Sequence, residues 1–282
     1  MCSLCTDRYG AGRSAAGGAA SSPEGNDKRA TALLVADVAT WGGVSAVSRV
    51  LRASAVLFVI LSLTLACDFP RDARDTLQRV RNGTMRVGVS ENDPWVRFAG
   101  NEAEGIEPAL IRQWARQLKA RVEWVHGSES ALIEALRQGE VDVLAAGLQS
   151  TTPFASRVAL SQPYLTARLH FAVPPGTTFA DESAGRSAAV APDRLAVNAA
   201  VHRSGAVPVP SADLWRGSLA LAAYDFEIEA HGMEPAGSAL AVERHVIATR
   251  PGESAFLLSL DRFLRGLDEM AIRRLAAEEA VR

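Results

Sequence analysis

The sequence predicts an α/β fold made of two unequal units, and three observations carry that prediction. Strand-like and helix-like segments alternate across residues 84–148, as they do when a largely parallel sheet is flanked by helices. A shorter alternation of the same kind runs through residues 187–231. An apolar return at residues 245–249 then leads to a helical segment, so the first unit is expected to hold both flanks of the second.

In the first unit, Met85, Val87 and Val89 alternate with other residues, which is the period of a strand. The pattern breaks over residues 90–105, a loop. Glu107 opens a helix with Pro108 in its first turn, where proline is tolerated, and Leu110, Ile111, Trp114, Ala115 and Leu118 share one face. Val122 and Trp124 mark a short strand. Residues 128–138 read as a second helix buried through Ala131, Leu132, Ala135 and Leu136, with Gly139 as its cap. The apolar run 141–148, interrupted by Asp142, reads as a buried strand. In sheets of this kind ligands bind beyond the carboxyl ends of the strands, which points to loops 90–105 and 147–153.

The second unit is expected to comprise a strand at 187–191, a helix at 194–202, a strand at 205–209, and a strand at 219–223 leading into a helix at 225–231. Between 209 and 219 only a loop containing proline and glycine stands where a further helix would fit. In residues 253–282 an amphipathic helix is built on Phe256, Leu257, Leu260, Phe263 and Leu264. Two units joined by two crossings can close like a hinge.

Composition excludes several function classes. With 282 residues, 48% hydrophobic and 22% charged, the chain is neither collagen-like, coiled coil nor wholly disordered. Thirty Lys plus Arg against 32 Asp plus Glu leave a net charge of −2, so no basic field argues for nucleic acid. Cys2, Cys5 and Cys67 all lie in the first quarter, leaving no thiol nucleophile or disulfide beyond residue 67. The Cys2/Cys5 pair lacks the two further ligands of a zinc site, and the five histidines are scattered, so neither a metal nor a cofactor is expected.

Residues 1–52 show no sustained period of 2 or 3.6 and read as a leader lying upstream of the true start. Arg49 and Arg52 precede the uncharged apolar run 53–66, which ends in a small residue before Cys67, the arrangement of an export signal. The run is shorter than the roughly 20 residues of a membrane span. Residues 63–67 resemble a bacterial lipobox, although Thr64 stands where that pattern prefers Leu. The resemblance implies lipidation of Cys67 and an anchored, extracytoplasmic domain.

From residue 76 to about 265 the chain resembles the bacterial extracellular solute-binding proteins of family 3, the amino-acid-type receptors of ABC importers. The resemblance is carried by the helix and strand of 76–89, by Asp93-Pro94-Trp95, and by Gly105-Ile106-Glu107-Pro108-Ala109-Leu110. Leu136-Arg137-Gln138-Gly139-Glu140-Val141-Asp142 follows, then 146–153 and Leu160-Ser161-Gln162-Pro163-Tyr164. It implies a two-lobed type II fold with a reduced second lobe: residues 76–172 with 246–282 in lobe 1, and 173–245 in lobe 2. It also implies a monomer that binds a small polar solute and passes it to an inner-membrane ABC permease, with no nucleic-acid partner.

By the same resemblance Trp95 would cover the ligand, with Glu91 and Asp93 in the same loop facing a cationic group. The second loop supplies Gln149, Ser150, Thr151 and Thr152 as polar contacts. Where the family places an Arg that clamps an α-carboxylate, this chain has Phe154, and the next arginine is Arg157. Either Arg157 takes over the clamp or the ligand has no α-carboxylate. Asp225 is the second-lobe candidate for an α-amino group, and equally a helix cap. Two alternatives accompany this reading: a dehydratase-like enzyme using Glu91 and Asp225 as acid and base, and a ligand-sensing accessory lipoprotein.

Overall fold

A computed structural model describes residues 71–177, 185–216 and 220–281. Cys67 and the export-signal segment lie outside the described residues. In chain order, lobe 1 begins with α1 (Thr76–Val80), β1 (Thr84–Val89), β2 (Arg97–Ala99), β3 (Glu102–Glu104), α2 (Ile106–Gln117), β4 (Arg121–His126), α3 (Glu129–Gln138), β5 (Val143–Ala145) and β6 (Ala159–Leu160). Then come β7 (Leu165–Val173), β8 (Ser187–Val190), α4 (Leu195–Arg203), β9 (Val207–Pro210), a 3-10 turn at Leu214–Arg216, β10 (Leu221–Tyr224), α5 (Asp225–Ala230) and β11 (Glu234–His245). The chain ends with β12 (Ala248–Thr249), α6 (Ser254–Arg265) and α7 (Glu269–Ala280).

The first sheet has the order β4-β1-β5-β12-β6 and the second β11-β7-β10-β8-β9. β1 runs parallel to both β4 and β5, as the alternation of elements requires, whereas β12 pairs antiparallel with β5 and β6. Helix α2 buries Ile106, Leu110, Ile111, Trp114 and Ala115, and the indole N–H of Trp114 donates to Ser259 Oγ at 3.3 Å, joining α2 to α6. Helix α3 buries Leu132, Ile133 and Leu136, which pack with Leu144 and Leu148. It ends at Gly139 with φ 83°, the left-handed cap its sequence announces. Asp142, the polar interruption, is buried and paired with Arg79 and with Arg86 at 2.7 Å.

Two long strands carry the crossing between the lobes. β7 and β11 pair antiparallel from Leu165 opposite His245 outward, with a register shift between Ala236 and Ala241. β7 is therefore a member of the second sheet. The C-terminal helix α7 packs on α5 and β7 and also on α2, with Arg273 paired to Asp225 at 3.1 Å and Glu279 accepting from Arg97 at 3.2 Å. The apolar stripe of α7 is thinner than that of α6, which is why the sequence pattern ends at Leu264. One apolar cluster runs from Leu110 and Trp114 through Trp95 to Tyr224 and Phe226, so the core is continuous across the lobe junction.

Candidate functional site at the lobe junction

The loop after β1 is folded back on itself and fastened to the loop after β5. Asn92 and Val96 exchange backbone hydrogen bonds at 2.9 and 3.0 Å, and Asn92 Nδ2 donates to the carbonyl of Ala146 at 3.0 Å. Two glycines permit this approach. At Gly147 (φ +65°) a Cβ would lie 2.4 Å from Asn92 Nδ2 and 2.8 Å from Trp95 Cδ1; at Gly105 (φ +108°) it would lie 2.8 Å from the Trp95 carbonyl oxygen. Each has a backbone that side-chain-bearing residues avoid, and each is pressed against the Trp95 segment.

Trp95 is consequently held 1% exposed. Its ring stacks on His245, with centroids 3.5 Å apart and planes 22° apart, and meets Tyr224 at 5.4 Å and Phe226 at 5.7 Å edge-on. Tyr224 and Phe226 come from the end of β10 and the start of α5, so the first-lobe loop is capped by second-lobe aromatics. His245 ends β11 at the crossing.

Carboxylates surround this aromatic cluster. Glu107, fully buried, accepts from the Gly147 N–H at 3.0 Å and from the Tyr164 hydroxyl at 2.8 Å. Burial raises its carboxyl to about 7 against the opposing pull of those hydrogen bonds. Glu243 accepts from Tyr224 Oη at 2.9 Å and lies 3.1 Å from His245 Nε2. Burial lowers His245, outweighing the upward pull of Glu243. Burial opposes the Glu243 charge, but hydrogen bonds from His245, Tyr224 and Gln149 hold it below its ordinary range.

A chain of ion pairs closes the outer edge. Arg97 donates to Asp93 Oδ1 at 3.1 Å and to Glu279 Oε2 at 3.2 Å. Arg194, on the turn before α4, donates through Nε to Asp93 Oδ2 at 3.1 Å, again through Nη2 to the same carboxylate, and through Nη1 to Glu227 at 2.9 Å. Burial alone would raise Asp93, yet the guanidiniums of Arg194 and Arg97 hold it below the usual value.

The nine expected ligand residues distribute unevenly over this geometry. Trp95, Asp93 and Gln149 come together at the junction. Glu91 and Thr151 are exposed on their loops. Ser150 receives its place from a backbone N–H donated to the Arg244 carbonyl at 2.8 Å, and Thr152 is buried in a turn on Gln149. Asp225 is the first residue of α5 and not its cap; it accepts from Arg168 N at 3.2 Å and pairs with Arg273. Arg157 faces α3, donating to Glu134 Oε2 at 2.9 Å. Arg194, Glu227, Glu243 and His245 also meet at this junction. The only local signal was the spacing of Tyr224 and Glu227, where the Glu227 carboxylate accepts the Tyr224 N–H at 3.0 Å across the first turn of α5.

A two-lobed α/β arrangement whose strand-end loops meet at an aromatic and acidic junction narrows the possible families, and the model for bacterial extracellular solute-binding proteins, family 3, matches residues 85–276. The chain belongs to that family. Among solved structures, an ancestral cationic amino acid solute binding protein aligns over 73% of this chain and 100% of its own, at TM-score 0.57 and 19% identity. The L-cystine solute receptor of Neisseria gonorrhoeae in its unliganded open conformation aligns over 68% and 90%, at TM-score 0.51 and 18% identity. Both likenesses establish the type II fold.

Among curated relatives, the membrane-bound lytic murein transglycosylase F of Vibrio campbellii is 28% identical over 109 residues, 38% of this chain and 20% of that protein. The transglycosylase F of Idiomarina loihiensis is 32% identical over 112 residues, 39% of this chain and 24% of that protein. The chain thus spans a quarter or less of the length of these relatives.

Proposed function

We propose that this family 3 protein is an extracytoplasmic solute-binding lipoprotein, anchored through Cys67, that captures a small polar solute between its lobes for an inner-membrane ABC permease. The observation that carries the reading is the burial of Trp95, a first-lobe loop residue, against Tyr224 and Phe226 of the second lobe. This is the face that lobe opening would expose, and it offers an aromatic wall with a few oriented polar groups, as small-molecule sites do. Asp93, Glu227 and Glu243 give the junction an acidic character.

A thermal-shift screen of the full chain against amino acids, polyamines, sugars, organic acids and murein fragments tests the reading. A specific ligand at a hundredfold excess over its dissociation constant adds about 2.7 kcal/mol to apparent stability. Murein fragments belong in the panel because relatives are murein transglycosylases, a similarity that favours ligand sensing as the second reading. An upward melting shift with one solute class supports capture; no shift across the panel overturns it. Radiolabelled lipid incorporated into the wild type but absent from Cys67→Ser tests the anchor.

A further inference from the structure

Arg194 occupies an unusual position. Its side chain is 10% exposed, although Pro192, Asp193, Leu195 and Ala196 around it are exposed. It reaches inward from the rim of lobe 2, and its guanidinium lies between a lobe 1 carboxylate, Asp93, and a lobe 2 carboxylate, Glu227. Nε and Nη2 serve Asp93, while Nη1 stands 2.9 and 2.7 Å from the two Glu227 oxygens. Its turn is fixed independently, since Asn198 Nδ2 holds the carbonyls of Ala191 and Arg194 at 3.0 and 2.9 Å. The side chain can therefore swing to solvent without unfolding the turn that carries it.

The two acids differ in what they keep if Arg194 leaves. Asp93 retains Arg97. Glu227 is 1% exposed, and among the described residues its carboxylate has, beyond Arg194, the Tyr224 N–H at 3.0 Å. A buried carboxylate stripped of its cation is strongly unfavourable, so the junction must then open or accept another cation. The planar donor edge of a guanidinium matches two carboxylates better than any other common cation.

We propose that Arg194 is the protein's own occupant of a cation subsite formed by Asp93 and Glu227: in the ligand-free protein it latches the lobes, and a solute carrying a guanidinium or ammonium group binds by replacing it. The solute half of this inference rests on the proposed solute-binding function; the latch does not. Replacement by an external cation also means that the internal one competes, lowering apparent affinity by the fraction of molecules in which Arg194 is in place.

Hydrogen exchange read by mass spectrometry on the full chain tests the latch. In Arg194→Ala, peptides covering residues 92–98 and 222–228 should exchange about tenfold faster or more, the factor corresponding to about 1.4 kcal/mol of closure. Millimolar guanidinium chloride should restore protection in the variant and leave the wild type unchanged, while sodium chloride at equal ionic strength should not. Unaltered exchange in the variant, or restoration by sodium equal to that by guanidinium, overturns the latch. Arg194→Gln, which keeps the stem and a hydrogen-bonding end without charge, provides the same comparison if the alanine variant does not fold. For the solute, calorimetry with agmatine, arginine and lysine should give tighter binding to Arg194→Ala than to wild type. Binding of uncharged or anionic solutes alone would overturn the replacement and leave the solute-binding function standing; an empty solute screen would overturn that function while guanidinium rescue still supports the latch.

Discussion

The indole of Trp95 lies flat on the imidazole of His245, ring centroids 3.5 Å apart, and this contact joins the first loop of lobe 1 to the last residue of the strand that returns from lobe 2. The loop is tethered at two points: Asn92 to the Ala146 carbonyl, and Trp95 to His245, Tyr224 and Phe226. The junction is therefore a piece of the core, which makes its residues measurable through stability.

Trp95→Ala should cost about 3 to 5 kcal/mol, the range for deleting a large buried aromatic. Trp95→Phe keeps a ring against His245 and should cost less. Urea unfolding of the full chain measures both. A loss under about 1 kcal/mol for the alanine variant would show that the junction collapses freely around the gap and that Trp95 is not a packing keystone.

Gly147→Ala and Gly100→Ala form a controlled pair. Both glycines have φ +65°, but a Cβ at Gly100 meets nothing within 4 Å, whereas at Gly147 it meets Asn92 and Trp95. The positive φ alone costs about 1 to 2 kcal/mol in each variant. Gly147→Ala should exceed Gly100→Ala and should also disturb the near-ultraviolet signal of the aromatic cluster. Equal losses would mean that the Trp95 loop shifts at no cost.

Glu107 sets a pH dependence whose sign follows from its raised carboxyl, at about 7 in the folded protein against an ordinary value of 4.5. The folded state holds this proton more tightly than the unfolded chain does. The associated stability is complete below about pH 4.5, declines as pH rises, and is gone above about pH 7, amounting to about 3 kcal/mol in order of magnitude. His245, lowered by burial, acts oppositely, since stability falls as pH drops and the unfolded chain gains its proton. The Glu107 contribution is therefore read as the difference between wild type and Glu107→Gln in unfolding midpoints between about pH 4 and about pH 8. A difference independent of pH would place the Glu107 carboxyl near its ordinary value.

Much of this architecture is legible in the sequence where burial is one-sided. The stripe of α2 yields the observed helix because one face meets core and the other does not, the glycine ending α3 marks its cap, and Met85, Val87 and Val89 mark β1 by their alternation although its other face is partly covered as well. β7 obeys the same logic, with Leu165, Ala167, Leu169 and Phe171 buried between less buried Thr166, Arg168 and His170, whereas β11 does not: Glu234, Pro235 and Val242 are exposed and its register is irregular around Gly237. The site is only half legible for a related reason. Trp95 and Asp93 stand in a recognisable loop motif, while Arg194 and His245 acquire meaning through contacts spanning more than a hundred residues, which no local spacing encodes. Asp225 illustrates the converse: the resemblance suggests it as an acid for an ammonium group, but Arg273 on α7, a helix the sequence pattern leaves faint, pairs with its carboxylate.

Arg157 provides the remaining test, because it decides what the altered second loop means. Its guanidinium pairs with Glu134 on the outer side of α3 and stands 6.0 Å over the Phe154 ring, with both partners of the ion pair more than two-fifths exposed. Exposed pairs of this kind contribute little, so Arg157→Ala should leave the melting temperature essentially unchanged. It should also leave solute affinity within about twofold, since a charge-assisted contact to a carboxylate, if present, would be worth about 1.5 to 3 kcal/mol and its loss would weaken binding by more than tenfold. A loss of that size would mean that Arg157 abandons Glu134 on binding and restores the family's clamp from three residues further along. Unchanged affinity would leave the loop without an arginine clamp and direct the search toward solutes recognised by their cation and not by an α-carboxylate.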